Sequence, residues 1–151
     1  MLETATSLAQ RVVTAMLAKD RATPMLGMAV VSAAEGACCI EMTVREDMLN
    51  GYETCHGGVL FTLADSAFAF ACNSRNLCMV AAGAQIDFLR PARVGDILRA
   101  TAAEISSGKR LGLYDVTVTN QKQQTVALFR GRSCRVDGVV VNDAGTESAT
   151  V

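Results

Sequence analysis

Residues 48–74 of the chain read MLNGYETCHGGVLFTLADSAFAFACNS, and this stretch decides the fold. After Gly57-Gly58 the pattern is helical for about four turns. Apolar side chains occupy most of the circumference of that helix: Val59, Leu60, Leu63, Ala64, Ala67, Phe68, Phe70 and Ala71. Because a helix that is apolar nearly all round is usually buried, we predict a long central helix in the core.

The segments on either side of this helix show the two-residue alternation of β-strands. Before it, residues 28–33 form one predicted strand, and a second strand places Cys38, Ile40, Met42 and Val44 on one face. After it, four more strands are predicted, at 79–89, 98–105, 113–119 and 126–136. One buried helix against one antiparallel sheet is an α+β arrangement. A single sheet leaves the other side of such a helix uncovered, so we expect a second copy of the chain to cover it.

The chain ends are expected to differ from this core. An amphipathic helix is predicted within residues 1–23, where Ser7 and Gln10 can form a capping box. Residues 138–151 lose all periodicity, which predicts a loose tail after a single domain over residues 1–137.

Composition excludes several classes of protein. The chain has 151 residues, is 50% apolar and carries a net charge of −1, as expected of a globular domain. No apolar run is long enough for a membrane span, and no secretory signal is recognisable, so we expect a cytoplasmic protein. The six cysteines are then expected to be free thiols, and a single histidine leaves little for a metal site.

Charge is unevenly distributed. Residues 75–136 hold ten Lys or Arg and four Asp or Glu, so this half can bind an anion, although an ordinary solvated surface explains the same surplus. The density is too low for a nucleic-acid footprint.

Gly57 and Gly58 begin the predicted central helix. Two glycines let another molecule approach the backbone closely, and the first N–H groups of a helix have no internal partners. The helix dipole is positive at this end, which suits a carbonyl oxygen that becomes an oxyanion. The alternative is a plain glycine turn into a helix.

Asp65 lies two turns inside this otherwise apolar helix. A buried carboxylate without partners costs several kcal/mol, and no Lys or Arg stands three or four residues away to pair with it. The competing interpretation is a solvated polar stripe, formed by Thr62, Asp65 and Ser66.

Three residues of the preceding loop are further candidates. Cys55 and His56 suggest a thiol and a base, but adjacent side chains rarely face each other, so we favour an orienting or substrate-holding role for His56. Asn50, followed by Gly51, is either a turn residue or a group that positions a water molecule.

Together, Asn50-Gly51, His56-Gly57-Gly58 and Leu63-Ala64-Asp65 resemble the signature of hotdog-fold thioesterases, and more narrowly that of the phenylacetate-degradation thioesterases. Two later stretches, DFLRPARVGD and TVALFRGRS, support the likeness, which covers roughly residues 24–136. The resemblance implies a sheet wrapped around the long helix and subunits paired into dimers and dimers of dimers. It also implies an acyl-CoA substrate, expected to be aryl-acetyl-CoA, bound where two subunits meet and hydrolysed without a cofactor.

The resemblance assigns residues to this reaction. The Gly57 N–H faces the thioester carbonyl, Asp65 of the partner subunit is general base or nucleophile, and Asn50 and His56 lie near the thioester. The expected substrate-binding residues are Gly58, Phe88, Arg90, Lys109, Arg110, Arg130 and Arg132, of which the basic ones in 109–132 meet the nucleotide end of CoA. Two alternatives stay open, a hotdog acyl-CoA hydratase and a non-catalytic acyl-CoA-binding or regulatory module.

Overall fold

A computed structural model of the chain describes residues 6–142. The helices are α1 (Leu8–Lys19), α2 (Ala22–Met25) and α3 (Gly57–Asn73), with a short 3-10 helix at Glu46–Met48. The strands are β1 (Ala29–Ala34), β2 (Ala37–Thr43), β3 (Met79–Phe88), β4 (Ile97–Ser107), β5 (Leu111–Thr119) and β6 (Thr125–Arg135).

The predicted α+β class is confirmed. All six strands form one antiparallel sheet in the order β1-β2-β4-β5-β6-β3, and α3 packs against every strand of it. The chain leaves β2, runs through α3, and joins the opposite edge of the sheet as β3. The central helix therefore lies across the sheet, and β3 is an edge strand.

The core follows the sequence pattern closely. Cys38, Ile40 and Met42 of β2 point at α3 and are at most 2% exposed. Phe68 of α3 packs against Tyr114, with ring centroids 5.6 Å apart. A side chain at Gly131 of β6 would place its Cβ 2.9 Å from the Phe68 ring, so only glycine lets the sheet approach the helix here.

The N-terminal region differs from the single helix predicted up to residue 23. The Ser7–Gln10 capping box is present, but α1 ends at Lys19 and α2 follows as a separate short helix. Asp20, the C-cap of α1, separates the two helices, and its Oδ1 accepts hydrogen bonds from the N–H groups of Ala22 and Thr23 at the start of α2. Pro24 then lies in the first turn of α2, where no N–H is needed.

The prediction that the chain is loose from residue 138 is wrong for its first five residues. Val141 is buried, and its backbone N–H and C=O both pair at 2.8 Å with the Asn76 carboxamide. The Cys78 N–H donates to the Gly138 carbonyl as well. These bonds hold residues 136–141 against the loop after α3, a long-range effect that carries no periodicity in the sequence. Residues 143–151 lie outside the described part of the chain.

Strand β3 is exposed on both faces to an unusual degree. Val80 is 37% exposed and Phe88 53%, and three alanines between them are exposed as well, at positions 81, 82 and 84. An edge strand also presents unpaired N–H and C=O groups, which makes it a template for a further strand.

Candidate active site

The N-terminus of α3 presents one free backbone donor. His56 is the N-cap, and its Nδ1 accepts a hydrogen bond of 2.9 Å from the Gly58 N–H. Within residues 6–142, the Gly57 N–H donates to no acceptor. Capping thus satisfies the second glycine and leaves the first one free, at the positive end of a 17-residue helix. Its bond to the Gly58 N–H is consistent with the orienting role expected of His56 at the start of the helix.

Gly57 opens into a groove that holds three other predicted site residues, Asn50, Phe88 and Arg90. A Cβ at Gly57 would lie 2.9 Å from Cζ of Phe88, so the ring rests on the backbone at the free N–H. Arg90 is tied to the sheet through a 3.0 Å bond from Nη1 to the Thr125 carbonyl.

The Asn50 side chain builds the loop before α3. Its Oδ1 accepts the N–H groups of Tyr52, at 2.9 Å, and Thr54, at 3.2 Å, and its Nδ2 donates to the Thr54 hydroxyl at 3.0 Å. The turn interpretation thus accounts for three of its hydrogen bonds. One Nδ2 hydrogen remains, and a water-positioning role for it stays a prediction.

Cys55 is unsuited to act as a nucleophile. The side chain is buried, and burial raises the pKa of its thiol to about 11. A thiol at neutral pH is a weak nucleophile because the thiolate is the reactive form. The structure thus supports the rejection of a Cys55–His56 dyad.

Asp65 is half-buried on α3, and its side chain makes no hydrogen bond or ion pair with any residue from 6 to 142. Burial raises the pKa of its carboxyl group above the ordinary value of 3.8. This combination of an unpaired carboxylate and a raised pKa is typical of a catalytic base.

The polar residues of α3 near Asp65 differ in their hydrogen bonds. Asn73 is buried, and its side chain bonds both the N–H and the C=O of Met79, which fixes the start of β3. The Thr62 hydroxyl donates to the Gly58 carbonyl one turn back along the helix. Asp65 and Ser66 are the polar groups among them for which the described residues supply no side-chain hydrogen bond.

Beside Asp65 lies a cavity of about 500 Å³ between α3 and α1. Sequence reasoning missed its apolar lining, which includes Met16, Phe70 and Met79. Met16 lies within the predicted N-terminal amphipathic helix, but periodicity shows only that a helix has an apolar face and not which cavity that face borders.

Gly57 and Asp65 of one chain do not share a cavity. Eight residues of α-helix separate them, a rise of about 12 Å, and Asp65 borders the cavity beside α1 whereas Gly57 borders the Phe88 groove. One carbonyl group cannot contact both residues of the same chain.

The basic candidates fall into two groups. Lys109 and Arg110 are exposed in the β4–β5 turn, and Arg132 is exposed on β6. Arg130 instead forms a two-pronged ion pair with Asp115, at 2.6 and 2.8 Å, which holds the pKa of that carboxyl group below its usual range. The charge of Arg130 is thus paired on the protein surface, and its expected role at the nucleotide end of CoA stays a prediction.

Residues 52–127, which include Gly57, Asp65 and Phe88, match the Thioesterase superfamily. The chain belongs to that family, and its wrapped helix is the hotdog fold expected from the sequence. It is an enzyme that acts on acyl-CoA thioesters.

Within the family, the chain is similar to the acyl-coenzyme A thioesterase PaaI of Escherichia coli, with 50% identity over 130 residues, 86% of this chain and 93% of that one. The solved structure of that protein, from the phenylacetic acid degradation operon, superposes with a TM-score of 0.87 at 49% identity, covering 87% and 96% of the two chains. The PaaI protein of Thermus thermophilus follows at a TM-score of 0.75 and 38% identity, with 78% of this chain and 100% of that one covered.

A Streptococcus mutans protein solved with acetyl CoA bound is more distant, with 28% identity, a TM-score of 0.73, and 75% and 91% of the two chains covered. Among residues 6–142, no helix is long and apolar enough to cross a membrane.

Proposed function

We propose that this enzyme hydrolyses an aryl-acetyl-CoA, such as phenylacetyl- or hydroxyphenylacetyl-CoA, to the free acid and CoA. The observation that carries the proposal is Asp65, an unpaired carboxylate with a raised pKa at the wall of an apolar cavity. Asp65 acts as general base or nucleophile, and the Gly57 N–H is the oxyanion donor.

The cavity beside Asp65 supports an aromatic acyl group. Its volume of about 500 Å³ lies within the range of small-molecule sites. Two thioethers, Met16 and Met79, and the Phe70 ring contribute to its wall, and sulfur and aromatic groups make favourable contacts with an aromatic ring. The similarity to PaaI, a protein of phenylacetic acid degradation, favours the same class of substrate.

The chemistry needs few groups, because a thioester carbonyl is electrophilic and a thiolate leaves readily. In the general-base route, Asp65 takes a proton from water as the water oxygen attacks the carbonyl carbon. In the nucleophilic route, the Asp65 carboxylate attacks to form an anhydride that water then cleaves. In both routes the carbonyl oxygen becomes negative and accepts the Gly57 N–H, and cleavage of the C–S bond releases CoA.

We propose that two copies of the chain complete each site through β3. In an antiparallel pair of β3 strands around a twofold axis, the Met79 end of one copy lies beside the Phe88 end of the other. Met79 and Val80 border the Asp65 cavity, and Phe88 borders the Gly57 groove. Pairing therefore brings Asp65 of one copy towards Gly57 of the other, and it covers the exposed alanines of β3. From the family resemblance we further propose a dimer of dimers and a cytoplasmic location.

The proposed pairing of two copies through the edge strand β3 can be tested by sedimentation and by substitution. We expect sedimentation velocity at micromolar concentration to give a dimer or larger species. Ala84→Lys should produce a folded monomer, since Ala84 is exposed in the single chain and a charge buried in the paired interface is costly. Thr117→Lys, on the half-buried middle of β5, is the matched control and should leave the pairing intact. A monomeric wild-type protein would contradict the shared site.

The proposed binding of the CoA phosphates by Lys109 and Arg110 can be tested by substitution. Replacing both with Ala should raise KM by about 3- to 30-fold, because the loss of two exposed ion-pair contacts weakens binding by a factor of this size. The kcat should change little, because the phosphates lie far from the reacting bond. The N-acetylcysteamine thioester of the same acid lacks the phosphates, so its KM should not change. An unchanged KM for the CoA thioester would refute this assignment.

A kinetic screen tests the substrate class directly. Purified enzyme is assayed for thiol release from phenylacetyl-CoA, its ring-hydroxylated forms, and straight-chain acyl-CoAs of similar size. We expect the highest kcat/KM for the aromatic substrates. Saturable binding of acyl-CoA without release of thiol would instead favour the non-catalytic binding module.

A further inference from the structure

The cavity beside Asp65 has walls of two different origins. One wall is α3, from Thr62 to Asn73, together with the start of β3. The opposite wall comes from the ends of the described chain, namely Met16 and its neighbours on α1 and the segment 136–140 after β6. Both of these segments lie outside residues 52–127, the part that matches the thioesterase family.

Both end segments are fixed in place. Val12 and Val13 anchor α1 in the protein interior, with exposures of 0% and 3%. The Asn76–Val141 pair of hydrogen bonds and the bond from the Val136 N–H to the Cys78 carbonyl, 2.9 Å long, anchor the segment after β6. The α1 and 136–140 segments that border the cavity are therefore held in position.

The far end of the cavity is lined mainly by apolar side chains. The Asn73 side chain donates hydrogen bonds to the carbonyl groups of Ala69 and Met79. The Asp20 carboxylate accepts a hydrogen bond from the Ala22 N–H. The apolar side chains at this end are chiefly those of Met16, Phe70 and Val140, and Lys19 of α1 also borders the cavity. Because the Met16 wall lies opposite α3, an acyl group that extends from Asp65 into the cavity contacts that wall once it is long enough.

We propose that Met16 of α1 is the specificity-determining residue that limits the length of the acyl group. The inference rests on the proposed function, and it assigns different roles to the family domain and to the segments that flank it. The family domain supplies the reacting groups Gly57 and Asp65, whereas the flanking segments select the substrate. Met16 suits this role because it borders the cavity and is only partly buried in the core, so its side chain can be replaced without opening the core.

The test compares phenylacetyl-CoA with 4-phenylbutanoyl-CoA, which is longer by two methylene groups. Met16→Ala should raise the ratio of kcat/KM for the longer over the shorter substrate by at least roughly tenfold, the usual worth of one or two methylene groups in an apolar pocket. Met16→Phe, which narrows the cavity, should lower the same ratio. Leu17→Ala is the matched control, because Leu17 is equally half-buried on α1 but does not border the cavity.

The outcomes separate this inference from the proposed function. Unchanged ratios in both Met16 variants, with normal hydrolysis of phenylacetyl-CoA, would overturn the role of Met16 and leave the function intact. A wild-type enzyme that hydrolyses neither thioester would overturn the function and the inference together. Equal changes in the ratio for Met16→Ala and Leu17→Ala would point to loosening of α1 as a whole and would also overturn the assignment.

Discussion

We expect Asp65→Asn to lower kcat by about 10²–10⁴-fold, the usual contribution of a positioned proton acceptor. Asparagine keeps the size and polarity of the side chain, but it neither accepts a proton well nor attacks a carbonyl carbon. KM should change little, because the carboxylate acts mainly in the transition state. Steady-state kinetics with phenylacetyl-CoA measures both, and Asp47→Asn, which removes a carboxylate paired with Arg45 on the surface, is the control.

The pH dependence of the wild-type enzyme belongs to the same prediction. The reactive form of Asp65 is the carboxylate, so kcat/KM should fall as the pH drops through its pKa. Because burial raises that pKa, the fall should be centred above 3.8. Asp65→Asn should lose this acid limb along with the rate. A folded Asp65→Asn protein with more than about a third of the wild-type rate would end the catalytic assignment.

Stability should move in the opposite direction to activity. A carboxyl group whose pKa is raised on folding binds more protons in the folded state, so its charge costs stability as the pH rises through the window between the unfolded and folded pKa values. Asn has no charge and no such cost. The free energy of unfolding of Asp65→Asn at pH 7, from urea denaturation, should therefore equal or exceed that of the wild type.

The second large effect is expected from Gly57→Pro, which removes the backbone N–H proposed as oxyanion donor and adds a pyrrolidine ring. Proline is well suited to the first position of a helix, and His56 before it already has the extended backbone, with φ −59° and ψ 134°, that proline requires. Loss of one oxyanion donor lowers kcat by about 10²–10³-fold, and we expect a fall of that size.

Gly57→Ala is the matched control for this variant. It adds the same Cβ against the Phe88 ring but keeps the N–H, and that ring is 53% exposed and can move aside. The alanine enzyme should retain most of its kcat. Equal losses in the two variants would show that the contact with Phe88, rather than the donor, accounts for the effect.

The sequence predicted those parts of the fold that depend on local periodicity. The apolar helix after Gly57-Gly58 and the alternation of Cys38, Ile40 and Met42 correspond to α3 and β2, because a buried helix and a half-buried strand each repeat with a fixed period. The unpaired state of Asp65 was also visible, since the neighbouring turns of its helix carry no cation.

Features that depend on tertiary contacts were not predictable. The pairing of Arg130 with Asp115 requires β5 and β6 to be neighbours in one register, and the sequence does not give that register. The buried bonds of Asn73, and those of Asn76 with Val141, join residues whose polarity alone suggests a surface. The Met16 wall depends on how α1 docks on α3, which is set by side-chain packing rather than by spacing.

Subunit complementation tests the central claim most directly, namely that Gly57 of one copy and Asp65 of another form each site. Asp65→Asn and Gly57→Pro chains are co-expressed with different tags, and the mixed dimers are purified through both tags. One of their two sites then combines a native Gly57 with a native Asp65, and the other carries both substitutions. We expect about half of the wild-type kcat per dimer, far above either parent. Mixed dimers no more active than the better parent would contradict it.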